Sequence, residues 1–114
     1  MELHIETKTR DHAHIIVVQG EIDLYSSPMM REYIFRTINQ HRPQTLIVDL
    51  SRVTYTDSSG IATLVEGLQL SNQSQIRFKL VGLSQIVLEV FQLARLETVF
   101  DIYPTEDDAL NDEN

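Results

Sequence analysis

The chain has 114 residues and a formal net charge of -8. This is the length of one domain, and the negative charge disfavours non-specific binding to nucleic acid or to an anionic membrane surface. The sequence has no cysteine, which excludes disulfides, thiol catalysis and cysteine-based zinc sites. No signal peptide and no apolar run near the ~20 residues of a membrane span is visible, so we expect a cytoplasmic protein.

Apolar spacing along the chain predicts the element order β-β-α-β-α-β-α-β-α. Alternation of apolar and polar side chains indicates strands, and spacing of three and four residues indicates helices. Gly20 is expected to end the second strand, and Ser26-Ser27-Pro28 to start the first helix with a hydroxyl cap. The strands are expected at residues 3–8, 14–18, 46–50, 76–81 and 98–103, and the helices from Ser26 to before Pro43, around 61–68, around 83–94 and at 104–110.

This order predicts a single α/β domain over residues 1–110, followed by an acidic C-terminal tail at 111–114. Alternating strands and helices imply right-handed crossovers and a largely parallel sheet, which the opening hairpin makes mixed. We expect four or five strands, helices mainly on one face, and solvated acidic residues near the C-terminus. The predicted core contains Leu46, Val48, Ile61, Leu64, Val65, Phe78, Leu80, Val87 and Phe91.

The most informative segment is Asp57-Ser58-Ser59-Gly60, which follows a buried strand and a short loop and opens a helix. Asp57 or Ser58 can cap the first N–H groups of that helix, and Gly60 would allow the backbone of a partner to approach closely. The tetrapeptide alone could be only a helix cap. Asp49 is expected to satisfy loop N–H groups rather than to take part in chemistry.

Three segments together resemble the STAS domain of bacterial anti-sigma factor antagonists. The first is the strand end Asp49-Leu50 followed by Asp57-Ser58-Ser59-Gly60. The second is Gly20-Glu21-Ile22-Asp23, and a weaker third is the helix end Phe91 to Leu96. The resemblance covers nearly the whole chain, with the elements in the same order.

The resemblance implies a phosphorylation-controlled binding protein without catalytic activity. The first serine of the motif, here Ser58, would be phosphorylated by a partner that is both a serine kinase and an anti-sigma factor. The unphosphorylated form would bind this partner and release the sigma factor, and a serine phosphatase would reverse the modification. Asp23 would lie near Ser58, and the partner-binding residues would be Asp23, Asp57, Ser58, Ser59 and Gly60.

Other functions remain open on the sequence. A STAS accessory subunit of a membrane lipid or anion transport complex would dock through the same face, and Asp23 could be only a loop residue that bonds its own backbone. A metal site using His4, His12 and His14 lacks a supporting ligand pattern, and a hydrolase using Ser58 lacks a visible base. We expect no cofactor, no nucleic-acid partner, no direct membrane insertion, and a monomer or weak dimer.

Overall fold

The computed structural model describes residues 2–112, and these form five strands and four α-helices in the predicted order. Asp57, Ser84 and Thr105 cap three of the helices with side-chain oxygens, which explains where these helices begin. The elements are β1 (His4–Arg10), β2 (Ala13–Ile22), α1 (Ser27–Arg36), a π-helical turn (Thr37–His41), β3 (Thr45–Thr56), α2 (Ser58–Gln73), β4 (Arg77–Val81), α3 (Gln85–Leu93), β5 (Asp101–Tyr103) and α4 (Glu106–Asn111).

The five strands form one mixed sheet in the order β1-β2-β3-β4-β5. β1 and β2 are an antiparallel hairpin, and all the later neighbours are parallel. Each parallel pair is joined by a helical crossover, as the alternation of strands and helices requires. The expectation of a mixed four- or five-stranded sheet is therefore confirmed.

The largest differences from the predicted strands are in β2 and β3, which are longer, and in β5, which is shorter. β3 continues through residues 51–56, where a loop is expected, because it pairs with β2 as far as the partners Ile22 and Thr56. β2 continues past Gly20, which has φ +116° and lies at a bulge instead of ending the strand. β5 has only three residues, and residues 98–100 precede it as irregular chain.

The main core lies between the sheet and the face covered by α1, α2 and α3. Ile16, Val18 and Val48 project from the strands into this core, and Leu64 of α2 meets them with 1% of its surface exposed. All the predicted core residues belong to it, although Val65 is only half-buried at its edge. This agrees with the expectation of helices mainly on one face.

The opposite face of the sheet carries a smaller cluster that α4 covers. Ala109 of α4 packs there on strand residues that include Ile15, Ile47 and Val81. Lys79 of β4 is 1% exposed on this face and donates hydrogen bonds to the carbonyl oxygens of Ala109, at 2.7 Å, and Asp112. Burial lowers the pKa of Lys79, and the carboxylate of Asp112 opposes this effect.

The acidic residues near the C-terminus belong to α4, so the chain there is helical rather than frayed, although Asp107 and Asp108 are exposed as expected. Glu106 pairs with Lys8 at 3.0 Å and with Arg10 at 3.3 Å, and Asp107 pairs with Arg10 at 2.8 Å. The ordered chain thus passes residue 110 and reaches Asp112, whose carboxylate accepts a hydrogen bond from Tyr103. The rest of the predicted acidic tail, residues 113–114, lies outside the described residues.

Candidate functional site

The candidate site lies where the carboxyl ends of β2 and β3 run side by side. Ile22 and Thr56 are register partners, and the backbone N–H of Asp57 donates to the carbonyl oxygen of Ile22 at 3.1 Å. Asp23 follows one strand and Asp57 follows the other. This edge of a parallel sheet is the common location of functional loops in α/β folds.

Asp57 is the residue that caps α2. Its Oδ1 accepts from the backbone N–H of Ser59 at 2.9 Å and of Gly60 at 3.3 Å, which satisfies two of the free N–H groups at the helix start. The same oxygen also accepts from the Ser59 hydroxyl at 2.5 Å. Ser58, in contrast, is exposed as the first residue of the helix. The two serines of the motif are therefore not equivalent, since only Ser59 is held by the cap.

Gly60 is buried and faces the interior of the protein. A Cβ atom at this position would lie 2.2 Å from Thr56 Oγ1 and 2.7 Å from Ile22 Cγ2. Glycine is therefore required because α2 approaches the ends of β2 and β3 closely. The physical reason offered from the sequence, close approach by a partner, is wrong. Contact between the Gly60 segment and a partner stays a prediction.

Asp23 organises the turn between β2 and α1. Its Oδ1 accepts from the backbone N–H groups of Tyr25 and Ser26, both at 2.9 Å, and the N–H of Ser26 is the main cause that lowers the pKa of Asp23. Ser26 Oγ accepts from Asp23 N at 2.9 Å and lies 3.0 Å from the carbonyl oxygen of Glu21. The predicted hydroxyl cap of α1 is therefore wrong, because this hydroxyl serves the turn instead.

Asp49 lies apart from the site, on the sheet face that α4 covers. Its Oδ1 accepts from the backbone N–H of Ser51 at 2.9 Å, within β3 instead of a loop. Burial alone would raise the pKa of Asp49, but the hydrogen bonds from Ser51 and the charge of Lys8 oppose this effect, and the pKa lies below its usual value. Asp49 thus fixes the backbone of β3 at Ser51.

Large apolar side chains stand exposed next to Asp23. Leu24 is 67% exposed, Tyr25 is 90% exposed and Met29 is 44% exposed. Exposed aromatic and apolar side chains that adjoin one another are typical of protein interfaces. The sequence alone does not single these residues out, although two large apolar residues in a predicted loop are a usable signal.

Replacing Asp57 with alanine is expected to destabilise the protein by about 0.5–2 kcal/mol, because two N–H groups of α2 lose their acceptor. The measurement is the free energy of unfolding from urea denaturation. Asp57→Asn is the matched control, since an amide oxygen caps about as well as a carboxylate. Equal losses for the alanine and asparagine variants would contradict the capping role.

Replacing Gly60 with alanine is expected to destabilise by about 1–3 kcal/mol, because the new methyl group overlaps Thr56 and Ile22. Urea denaturation measures this loss as well. Ser58→Ala is the control at an exposed position of the same helix turn and should change stability by less than about 0.5 kcal/mol. A Gly60→Ala variant as stable as the parent would mean that α2 can move away from the sheet freely.

Other kinds of site find no support in the described structure. Across residues 2–112, nowhere do three histidine or carboxylate side chains come together as metal ligands would. His14 lies against His41 at a ring-centroid distance of 4.8 Å, at the amino ends of the strands, far from Ser58. Over the same residues, every helix is too short or too polar to cross a membrane.

Comparison with known proteins identifies the family. Residues 4–109 match the STAS domain, and the chain belongs to this family. It is 34% identical over 107 residues to the anti-sigma-B factor antagonist of Listeria monocytogenes, covering 93% of each chain. It is 29% identical over 102 residues to the protein of the same name from Staphylococcus aureus, covering 90% of this chain and 94% of the relative.

Solved structures agree with this fold. An anti-sigma factor antagonist from Mycobacterium paratuberculosis superposes with a TM-score of 0.87 at 27% identity, covering 96% of this chain and 92% of that one. SpoIIAA, an anti-sigma factor antagonist solved in its unphosphorylated form, gives a TM-score of 0.73 at 22% identity, covering 95% and 96%. Its phosphorylated form from Bacillus gives 0.72 at 23% identity, covering 95% and 97%. The resemblance inferred from the three sequence segments is therefore confirmed.

Proposed function

We propose that this protein is an anti-sigma factor antagonist controlled by phosphorylation of Ser58. In its unphosphorylated form it binds an anti-sigma factor that is also a serine kinase, and the sigma factor is released. A serine phosphatase restores the binding form. The names of the Listeria and Staphylococcus relatives support the antagonist function, and the geometry at Ser58 supports the site of control.

The observation that carries this proposal is the difference between the two serines. Ser59 donates its hydroxyl to the carboxylate that caps α2, so a phosphate there would break the cap. Ser58 is exposed at the first helical position, where a kinase can reach it without disturbing the fold. The positive end of the helix dipole also favours an anion at this position.

We propose that the partner docks across Asp23, Asp57 and the exposed side chains of Leu24 and Tyr25. These residues adjoin one another because β2 and β3 end side by side. Tyr25 offers a large aromatic surface, the kind of anchor that interfaces use most. The carboxylate of Asp57 supplies negative charge next to Ser58, to which a phosphate would add about -1.5 to -2.

We propose further that the protein works in the cytoplasm and catalyses no reaction of its own. The carboxylate of Asp57, next to Ser58, already accepts the hydrogen bonds of the helix cap. The side chains of His12, His14 and His41 lie at the other end of the sheet. A serine nucleophile needs a base within hydrogen-bond reach. Its role therefore consists of binding, and covalent change is made by its partners.

The test is incubation of the protein with its cognate kinase and ATP, followed by mass spectrometry. One phosphate should be added, on Ser58. Ser59→Ala should still be phosphorylated and Ser58→Ala should not, which makes the two variants matched controls. Phosphate on Ser59 would show that the phosphorylation site is the second serine of the motif and not the first. The absence of phosphate on either serine would favour the role of a transport-complex subunit.

A further inference from the structure

A cavity lies at the end of the domain opposite Ser58. Its volume is ≈ 370 Å³, and it lies between β1, the start of β2 and the end of α1. His14 pairs with Leu46 near the start of β3, whereas Ser58 follows Thr56 at the end of that strand. Leu46, next to the cavity, and Thr56, next to Ser58, are ten residues apart in β3, and a strand of this length spans roughly 30 Å. The cavity is therefore distinct from the site of the proposed function.

Two imidazole rings and several hydroxyl groups line this cavity. The π-helical turn brings His41 back over β2, so that its ring lies 4.8 Å from the ring of His14 with a tilt of 31°. π-Helical turns are rare and occur frequently at functional sites. Thr7, Thr9 and Thr37 line the same space, and the hydroxyl of Thr37 already donates to the carbonyl oxygen of Tyr33 at 2.8 Å.

Two charged residues line the cavity and both are basic, although the whole protein is acidic. Arg36 of α1 lies at the rim, where it pairs with Glu32. Lys8 borders the cavity along β1, but its ammonium group lies on the opposite face of the sheet, where it pairs with Glu106 of α4 at 3.0 Å. No carboxylate is among the lining residues within the described chain. The phenol of Tyr33 completes the α1 side. The cavity itself thus offers hydrogen-bond donors with no fixed negative charge.

We propose that this cavity binds a small tetrahedral oxyanion of the phosphate and sulfate class, which takes up a proton on the His14–His41 pair. Oxyanion oxygens would accept from the imidazole N–H groups and from the hydroxyl groups of Thr7 and Thr9. The guanidinium group of Arg36 at the rim favours the same ligand. A metal cation would meet this basic group instead, which disfavours it.

The paired histidines give this site its dependence on pH. Burial, and then the proximity of His41, lowers the pKa of His14 below its usual value, which disfavours a charge on His14 in the unoccupied site. An anion beside the two rings would reverse this preference, because it attracts a proton to the pair. Binding and proton uptake are linked, and the affinity for the anion should rise as the pH falls.

The test is calorimetric titration of the full chain with sulfate at pH 7.5 and pH 6.0. Sulfate keeps its charge over this range, so any change in affinity reports protons bound by the protein. Uptake of one proton should make binding up to about tenfold tighter for each pH unit. NMR of the histidine ring protons should show the pKa of His14 and His41 rising when sulfate is present. Inorganic phosphate at pH 6.0 should bind at the same residues.

His41→Gln and His14→Gln are the informative variants, and His4→Gln is the control. His41 is exposed, so its replacement should leave the fold intact, which circular dichroism checks. Both variants should lose the increase in sulfate affinity at pH 6.0, and His4→Gln should keep it. Sulfate affinity that does not change with pH, or an increase that survives in His41→Gln, would overturn the proposal. These outcomes are independent of whether Ser58 is phosphorylated.

Discussion

Phosphorylation of Ser58 should weaken binding to the anti-sigma partner by roughly 30- to 4000-fold. The phosphate adds negative charge beside the carboxylate of Asp57, within the surface that we propose for docking. Like charges or an unpaired charge at an interface cost about 2–5 kcal/mol, which corresponds to that range of affinity. Titration calorimetry with the phosphorylated and unphosphorylated forms measures it. The domain itself should stay folded, because a helix N-terminus accepts an anion.

Two variants of Ser58 sharpen this experiment. Ser58→Asp should reproduce part of the loss, since it adds one charge and fewer hydrogen-bond acceptors than a phosphate. Ser58→Ala should bind the partner and resist modification, so it should act as a permanently active antagonist. Equal affinity of these two variants would remove the electrostatic mechanism. The transport-complex alternative would then be the better account of the docking face.

Replacing Leu64 with alanine should destabilise the protein by about 2–5 kcal/mol. Leu64 is 1% exposed and belongs to the main core between α2 and the sheet, so the change leaves a cavity as well as losing apolar contact. Urea denaturation of both proteins gives the difference. Leu93→Ala is the matched control, because Leu93 is 86% exposed in α3 and its replacement should cost less than about 0.5 kcal/mol. Similar losses for both would contradict the packing described.

The part of β3 that the sequence predicts is the part with neighbouring strands on both sides. The apolar run 46–50 reads as a buried strand because β2 and β4 flank it. Beyond Asp49 and its partner Val81, β3 pairs with β2 alone, and residues 51–56 are partly exposed and polar. Their alternation is therefore weaker, and the strand was predicted to be a loop. Val53, Thr54 and Tyr55 carried a strand preference that could have been used.

Contacts between residues far apart in the chain explain the other differences. The need for glycine at position 60 comes from Thr56 and also from Ile22 on another strand, and no local pattern reveals the contact with Ile22. The packing of the acidic C-terminal residues comes from Lys8 and Arg10 on β1 and from Lys79 on β4. The candidate site was easier to predict, because the Asp57 cap and the exposed Ser58 follow from adjacent residues in one short motif.

Lys79 has a consequence for the order in which the domain can be completed. The ammonium group of Lys79 donates a hydrogen bond to the carbonyl oxygen of Asp112, which lies 33 residues after Lys79 in the chain. A ribosome adding about 5–20 residues per second makes this acceptor roughly 2–7 seconds after the lysine. Until then, strand β4 carries a charge that is unfavourable to bury. The nascent sheet therefore remains open on that side until the segment of α4 and Asp112 has been made.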